Sequence, residues 1–115
     1  MEEKKKTSLG LNENVEGALT YLLGWLTGIL LLLLEKESHF VRFHAMQSTI
    51  TFLAITIINI IFGAIPFFGW ILGSLVTLVG LIFWILGMVK AYQGEYYKFP
   101  IVGEIAEKQV KSFSI

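Results

Sequence analysis

The chain has 115 residues, 55% hydrophobic and 16% charged, with nine basic and nine acidic residues and no cysteine. Soluble domains carry about one-quarter charged residues; here the charges are also segregated, with none between Glu16 and Glu35 and none between Arg42 and Lys90. Gaps of that length exclude an ordinary soluble core, the balanced charge excludes a basic field for nucleic acid, and the lack of cysteine excludes disulfides and thiolate metal sites.

Residues 1–16 are polar and read as a solvated N-terminal tail. Asn12 or Asn14 is placed to cap a following helix, and Leu9, Leu11 and Val15 fall near helical spacing for a short interfacial turn. The apolar run 17–34 is predicted as a first transmembrane helix. At 1.5 Å per residue it reaches about 27 Å, close to the hydrocarbon thickness. It is longer than a signal-peptide core, lacks a small-residue cleavage site and ends in Glu35, Lys36 and Glu37, so it is read as a retained span. Thr20, Gly24 and Gly28 repeat every four residues and form a stripe where another helix backbone can approach.

The segment 35–44 carries both histidines and the only arginine, Arg42. It reads as an amphipathic interfacial piece leading into the next span. The second apolar block divides at 63–69, where Gly63 can end one helix and Pro66 suits the start of another. This places spans at about 45–64 and 67–91, paired as a tight antiparallel hairpin with Phe67, Phe68 and Trp70 at its tip. Thr49, Thr56, Asn59 and Gly63 share one face of the second span; Gly69, Gly73, Thr77, Gly80, Trp84 and Gly87 share one face of the third. Tyrosines and lysines over 92–98 form an interfacial belt, and 100–111 reads as a surface-lying amphipathic helix before a tail at 112–115. The expectation is an all-α membrane protein: three transmembrane helices with amphipathic interfacial segments, forming a single helical membrane domain over 17–111.

In a three-span arrangement the N-terminal tail and the 64–68 turn share one side. The other side holds Lys36, Arg42, Lys90, Lys98, Lys108 and Lys111. The positive-inside rule then puts the loop 35–43 and the C-terminus in the cytoplasm of a multi-pass plasma-membrane protein.

Chemistry-bearing residues are few. His39 and His44 are five apart and point away from each other on a helix, so a shared metal is not expected. His44, one turn from Gln47, reads first as an interfacial residue satisfied by water or headgroups; the sharper alternative is that His44 and Gln47 face the bundle together, either bonding another helix or lining a polar recess. Asn59, an amide in hydrocarbon, must find a protein partner. Apart from Lys90 at the end of the third, no acidic or basic residue lies inside a predicted span, which argues against proton-coupled transport. No nucleophile–base set or phosphate-binding loop can be assembled, so no enzyme activity, cofactor or metal is expected.

Residues 40–47, Phe-Val-Arg-Phe-His-Ala-Met-Gln, open a long apolar helix. With Leu34 to Glu37 before them, Val89 to Lys98 after the last span, and Pro100 to Gly103, they resemble the Tic-twenty-like superfamily. Its named member is a subunit of the protein-import translocon of the chloroplast inner envelope. The nearer likeness is to short prokaryotic membrane proteins of unknown function. The resemblance covers about residues 15–109. It implies Phe43, His44 and Gln47 as family-typical positions and a link to preprotein translocation; the chloroplast relative has four spans where this chain is read with three.

The expected role is therefore non-enzymatic. The protein would be an assembly component of the lipid bilayer in protein translocation or membrane biogenesis, working as a homo-oligomer or within a larger membrane complex, without nucleic acid. The glycines Gly24, Gly28, Gly69, Gly73, Gly80 and Gly87 are the expected helix-packing positions. The competing expectation is an oligomeric channel or transporter for a small solute, with a polar path past His44, Gln47, Thr56 and Asn59.

Overall fold

Uncharged apolar segments become helices in lipid because a helix satisfies its own backbone hydrogen bonds. The computed structural model describes residues 6–112. Among these it is all-helical: α1 (Glu13–Leu22), α2 (Trp25–Leu34), α3 (His39–Gly63), α4 (Gly69–Tyr92) and α5 (Val102–Ser112). Residues 1–5, with Lys4 and Lys5, and residues 113–115 of the C-terminal tail lie outside the described residues.

α3 and α4 are the two helices long and apolar enough to cross a membrane. They run antiparallel about the turn 64–68. A Cβ on Gly69 would meet the Phe62 carbonyl at 2.0 Å, so the tip closes this tightly only with glycine there. Phe67 and Trp70 at the tip are the most exposed large apolar residues of this hairpin, at 85% and 72%.

The segment 17–34 corrects the expectation of a single first span. It breaks at Leu23 and Gly24, where Gly24 has a φ of 66° that other residues rarely adopt. The chain then folds back. Along α1, Gly17 faces Phe40, and Tyr21 bonds His44. Gly24 faces Phe52 at the turn, and along α2 Gly28 returns to Ala45 and Thr49. Arg42 finally donates to the Leu32 carbonyl at 3.1 Å. The two helices thus form a short helical hairpin along the first half of α3, each about 15 Å long. The apolar composition is uniform across the break, which is why hydropathy reads it as one span.

The fold-back also moves the N-terminus. The Ser8 N–H donates to Glu35 Oε2 at 3.1 Å, and the Lys36 N–H donates to Ser8 Oγ at 3.3 Å. Residues 6–12 therefore lie at the charged end with 35–38, not beside the 64–68 turn as a three-span path requires.

After α4 the chain runs extended over 95–99 beside α3, turns at Pro100 and Ile101, and returns as α5. Ala106 and Val110 of α5 pack with Phe43, Ala45 and Met46 of α3 and with Leu31 and Leu32 of α2. The predicted amphipathic helix is thus present, and its apolar face covers protein.

Caps follow the local sequence. Asn12 accepts from the Asn14 N–H at the start of α1, and Ser38 accepts from the Val41 N–H at the start of α3.

Candidate functional site

Irregular backbone at membrane depth is tolerated only where its polar groups find partners. Two irregular stretches need them here, the α1–α2 turn and the strap 95–99, and the polar side chains of the charged-end half supply them. At the turn, Trp84 Nε1 donates to the Leu22 carbonyl at 3.2 Å, and Ser48 Oγ donates to the Gly24 carbonyl at 3.0 Å. Thr27 Oγ1 accepts from the Leu23 N–H and donates to the Thr20 carbonyl, both at 3.1 Å.

The strap is held by His44 and Gln47. His44 Nε2 lies 2.8 Å from the Glu95 carbonyl, an acceptor only, so that nitrogen carries the proton. His44 Nδ1, 2.7 Å from Tyr21 Oη, then accepts the phenol proton. Gln47 Nε2 donates to Tyr21 Oη and to the Tyr97 carbonyl, each at 2.9 Å, while Gln47 Oε1 accepts the Phe99 N–H at 2.9 Å. That backbone donor fixes which way the amide points. The bonds run in one direction from Phe99 through Gln47, Tyr21 and His44 to Glu95. Tyr21, His44 and Gln47 are fully buried, and each of their polar atoms is engaged. Phe43 and Phe40 stack edge-on to His44 at 5.1 and 4.7 Å between ring centroids.

A second buried polar cluster closes the charged end. Glu35 Oε2 accepts the N–H groups of Ser8, Glu37 and Ser38 at 3.1, 3.0 and 2.9 Å. Glu16 Oε1 accepts the Thr7 hydroxyl. Glu16 Oε2 and Glu35 Oε1 are buried without a donor among the described residues. The two carboxyl groups interact, so one proton held by Glu16 satisfies both. Burial pushes Glu16 up, the Thr7 hydroxyl opposes this, and the Glu35 carboxylate adds to it, leaving Glu16 at about 7. Burial also pushes Glu35 up, but the Glu16 carboxyl and the N–H groups of Ser38, Ser8 and Glu37 outweigh it and hold Glu35 at about 2. Composition gives no sign of this pair; a closing contact between the two ends of 16–35 becomes visible only once the hairpin is known.

Phe43, His44 and Gln47 therefore meet in one network, and Asn59 does not join it. Twelve positions further along α3, about 18 Å, Asn59 Nδ2 donates to Thr77 Oγ1 at 3.1 Å. It lines an open groove of about 730 Å³ at the tip with Gly63, Gly69, Gly73, Ser74 and Thr77. Thr56 Oγ1 donates back to the Phe52 carbonyl at 2.8 Å. His39 is exposed beside Tyr96. Of the packing glycines, Gly28, Gly80 and Gly87 face neighbours within the chain: Thr49, Ile55 and the Tyr21 ring. Gly73 faces Asn59 Oδ1, and Gly24 and Gly69 form turns. Sequence reasoning missed Tyr21 as the hub, although its spacing of four from Gly17 places both on the face that meets α3 and α4.

Two membrane-length helices, a short helical hairpin and a buried strap define a small helical membrane protein whose polar side chains bind its own backbone. Residues 6–106 match the magnetosome magnetite crystal formation protein family, which is the Tic20-like family, and the chain belongs to it. The chain is 54% identical to a UPF0132 membrane protein of Methanocaldococcus jannaschii, over 92% of this chain and 76% of the relative. It is 54% identical to a UPF0132 membrane protein of Archaeoglobus fulgidus, over 87% of this chain and 97% of the relative. A Tic20 family protein, Ycf60, of Porphyra purpurea is 31% identical over 64% of this chain and 39% of its own length. No solved structure matches.

Proposed function

We propose that the protein is a two-span, non-enzymatic component of a membrane assembly that serves protein translocation or membrane biogenesis. The observation that carries this reading is the closed network at Tyr21, His44 and Gln47: each polar atom there is engaged within the chain, holding strap backbone or joining the three side chains, and none is left facing a substrate. The likeness to a Tic20 family protein supports translocation as the setting. Lys6, Lys36, Arg42, Lys90, Lys108 and Lys111 belong to the charged end and the 64–68 tip has no charge, which supports a cytoplasmic charged end in the plasma membrane.

Partner contacts belong to the outer half. Gly28, Gly80 and Gly87 are covered within the chain, whereas the groove of Gly63, Gly73, Ser74 and Thr77 stays open. A helix of a second copy or of a larger complex fits there. The channel reading loses support because His44, Gln47, Thr56 and Asn59 do not line one path. Affinity purification from native membranes tests the proposal. Co-purification of a translocase or insertase subunit, weakened by Gly73→Leu, is expected. A chain that migrates alone and conducts ions in liposomes would overturn it.

A further inference from the structure

The two flanks of the charged-end half present opposite surfaces at the same depth. On one flank, Gln47 bonds Tyr97 and Phe99, each at 2.9 Å, so Lys98 between them stands level with Gln47. Gly103 then folds onto Lys98, where a Cβ would meet Lys98 Cα at 2.7 Å. Ala106 and Val110 pack with Phe43, Ala45 and Met46, so α5 rises from the Gln47 level towards the charged end. On the other flank, Gly28 lies against Ala45 and Thr49, and Leu32 is bonded by Arg42. Leu26 and Leu30 of α2 therefore stand at about the same level of α3.

At that level α2 exposes Leu26 and Leu30, at 56% and 53%. The α5 flank exposes an ion triad: Lys98 Nζ lies 2.8 Å from Glu107 and 3.5 Å from Glu104. Hydrocarbon suits the first surface and strongly disfavours the second. From Gln47 to Gly63 α3 rises about 24 Å, less than the roughly 30 Å of a bilayer core. The triad therefore lies inside the hydrocarbon that α2 requires, by about one helical turn.

We propose that the α5 flank is a lipid-headgroup surface that draws phospholipid headgroups and water inward, so that the bilayer is thinner beside α5 than beside α2. The mixed charge suits a headgroup bearing both phosphate and amine: Lys108 and Lys111 face the phosphate, and Glu104 faces the amine. The thinning is local, one-sided and independent of any second protein. It gives the membrane next to this chain a lowered barrier to polar segments.

The chain has no cysteine, so single cysteines carry spin labels without background. Ile105→Cys on α5 and Leu30→Cys on α2 are labelled at matching depth. Full-length chains are reconstituted at one per vesicle in phosphatidylethanolamine and phosphatidylcholine. The label at 105 is expected to favour collision with a water-soluble nickel chelate over oxygen, and the label at 30 to favour oxygen. Lys98→Leu with Glu104→Leu and Glu107→Leu should return the label at 105 to the oxygen-favouring side. Equal preference for oxygen at both labels in the otherwise unaltered chain would overturn the proposal. So would water access at 105 that appears only with many copies per vesicle, because a neighbouring chain and not the headgroups would then wet the surface.

Discussion

The two halves of the α3–α4 hairpin are built by different rules. In the charged-end half α3 is sheathed on its flanks by α1, α2, the strap and α5, and residues 40–48 of α3 are all buried. In the outer half α3 and α4 meet chiefly each other among the described residues, and Ile57, Ile60, Ile61, Leu75 and Leu78 face outward. Polar side chains follow the same division. Those of the inner half satisfy irregular backbone, which lipid cannot do. In the outer half Asn59 Nδ2 donates to Thr77 Oγ1, while Asn59 Oδ1 is buried without a donor among the described residues. The same composition of Gly, Thr, Leu and Ile thus yields a specified core where flanking elements cover it and a lipid-facing pair where nothing does.

Substitutions at glycine break this comparison most sharply. A Cβ on Gly87 would sit 2.6 Å from the Tyr21 ring, whereas at Gly73 the nearest atom is Asn59 Oδ1 at 3.3 Å. Gly87→Leu should cost about 3 kcal/mol or more through overpacking and displacement of Tyr21. Gly73→Ala should cost under about 1 kcal/mol. Thermal unfolding in mild detergent separates the two.

Next in size is the strap. Gln47→Leu leaves the Phe99 N–H and the Tyr97 carbonyl without their partner, and each unsatisfied buried group costs about 1–3 kcal/mol. A total of about 2–6 kcal/mol is expected, with faster amide hydrogen exchange over 95–99. Asn59→Leu removes one bond in the outer half and should cost about 1 kcal/mol or less without changing that exchange.

The carboxyl pair gives a pH signature confined to the charged end. Glu16 is raised to about 7, so its stabilising contribution is complete below its ordinary value near 4.5 and is lost as pH rises through 7. Glu35 is lowered to about 2, so its contribution is complete above 4.5 and lost as pH falls towards 2. Glu16→Gln keeps a donor for Glu35 and should flatten the loss between 4.5 and 7, read from unfolding midpoints across pH. A small effect of opposite sign is expected at Ile101, whose φ of 67° is unusual for a β-branched residue. Ile101→Gly should stabilise the strap turn by about 1 kcal/mol.

Parts of this were legible in the sequence. The 63–69 break carried glycine and proline signals, and α5 was visible as an amphipathic stretch after Pro100. His44 and Gln47 were legible as a local pair one turn apart, open either to water and headgroups at the interface or to the bundle; both are buried against Tyr21 and the strap. The short helical hairpin was not legible, because Leu22, Leu23 and Trp25 around Gly24 keep the hydropathy of a continuous span, and only the partners Thr27, Ser48 and Trp84 make the break tolerable. The strap escaped detection because its conformation is set by the side chains of another helix and leaves no periodicity of its own. Glycine stripes were read as places of close approach, inward or to another subunit; Gly28, Gly80 and Gly87 face Thr49, Ile55 and Tyr21 of this chain.

The central claim is that the first apolar run enters and leaves the membrane on one side. Single cysteines at Leu9, Phe68 and Lys108 in this cysteine-free chain, labelled with a membrane-impermeant maleimide in intact cells and in inverted vesicles, test it directly. The account predicts that Leu9→Cys and Lys108→Cys label from the same side and Phe68→Cys from the opposite one. Labelling of Leu9→Cys together with Phe68→Cys, and opposite Lys108→Cys, would contradict it.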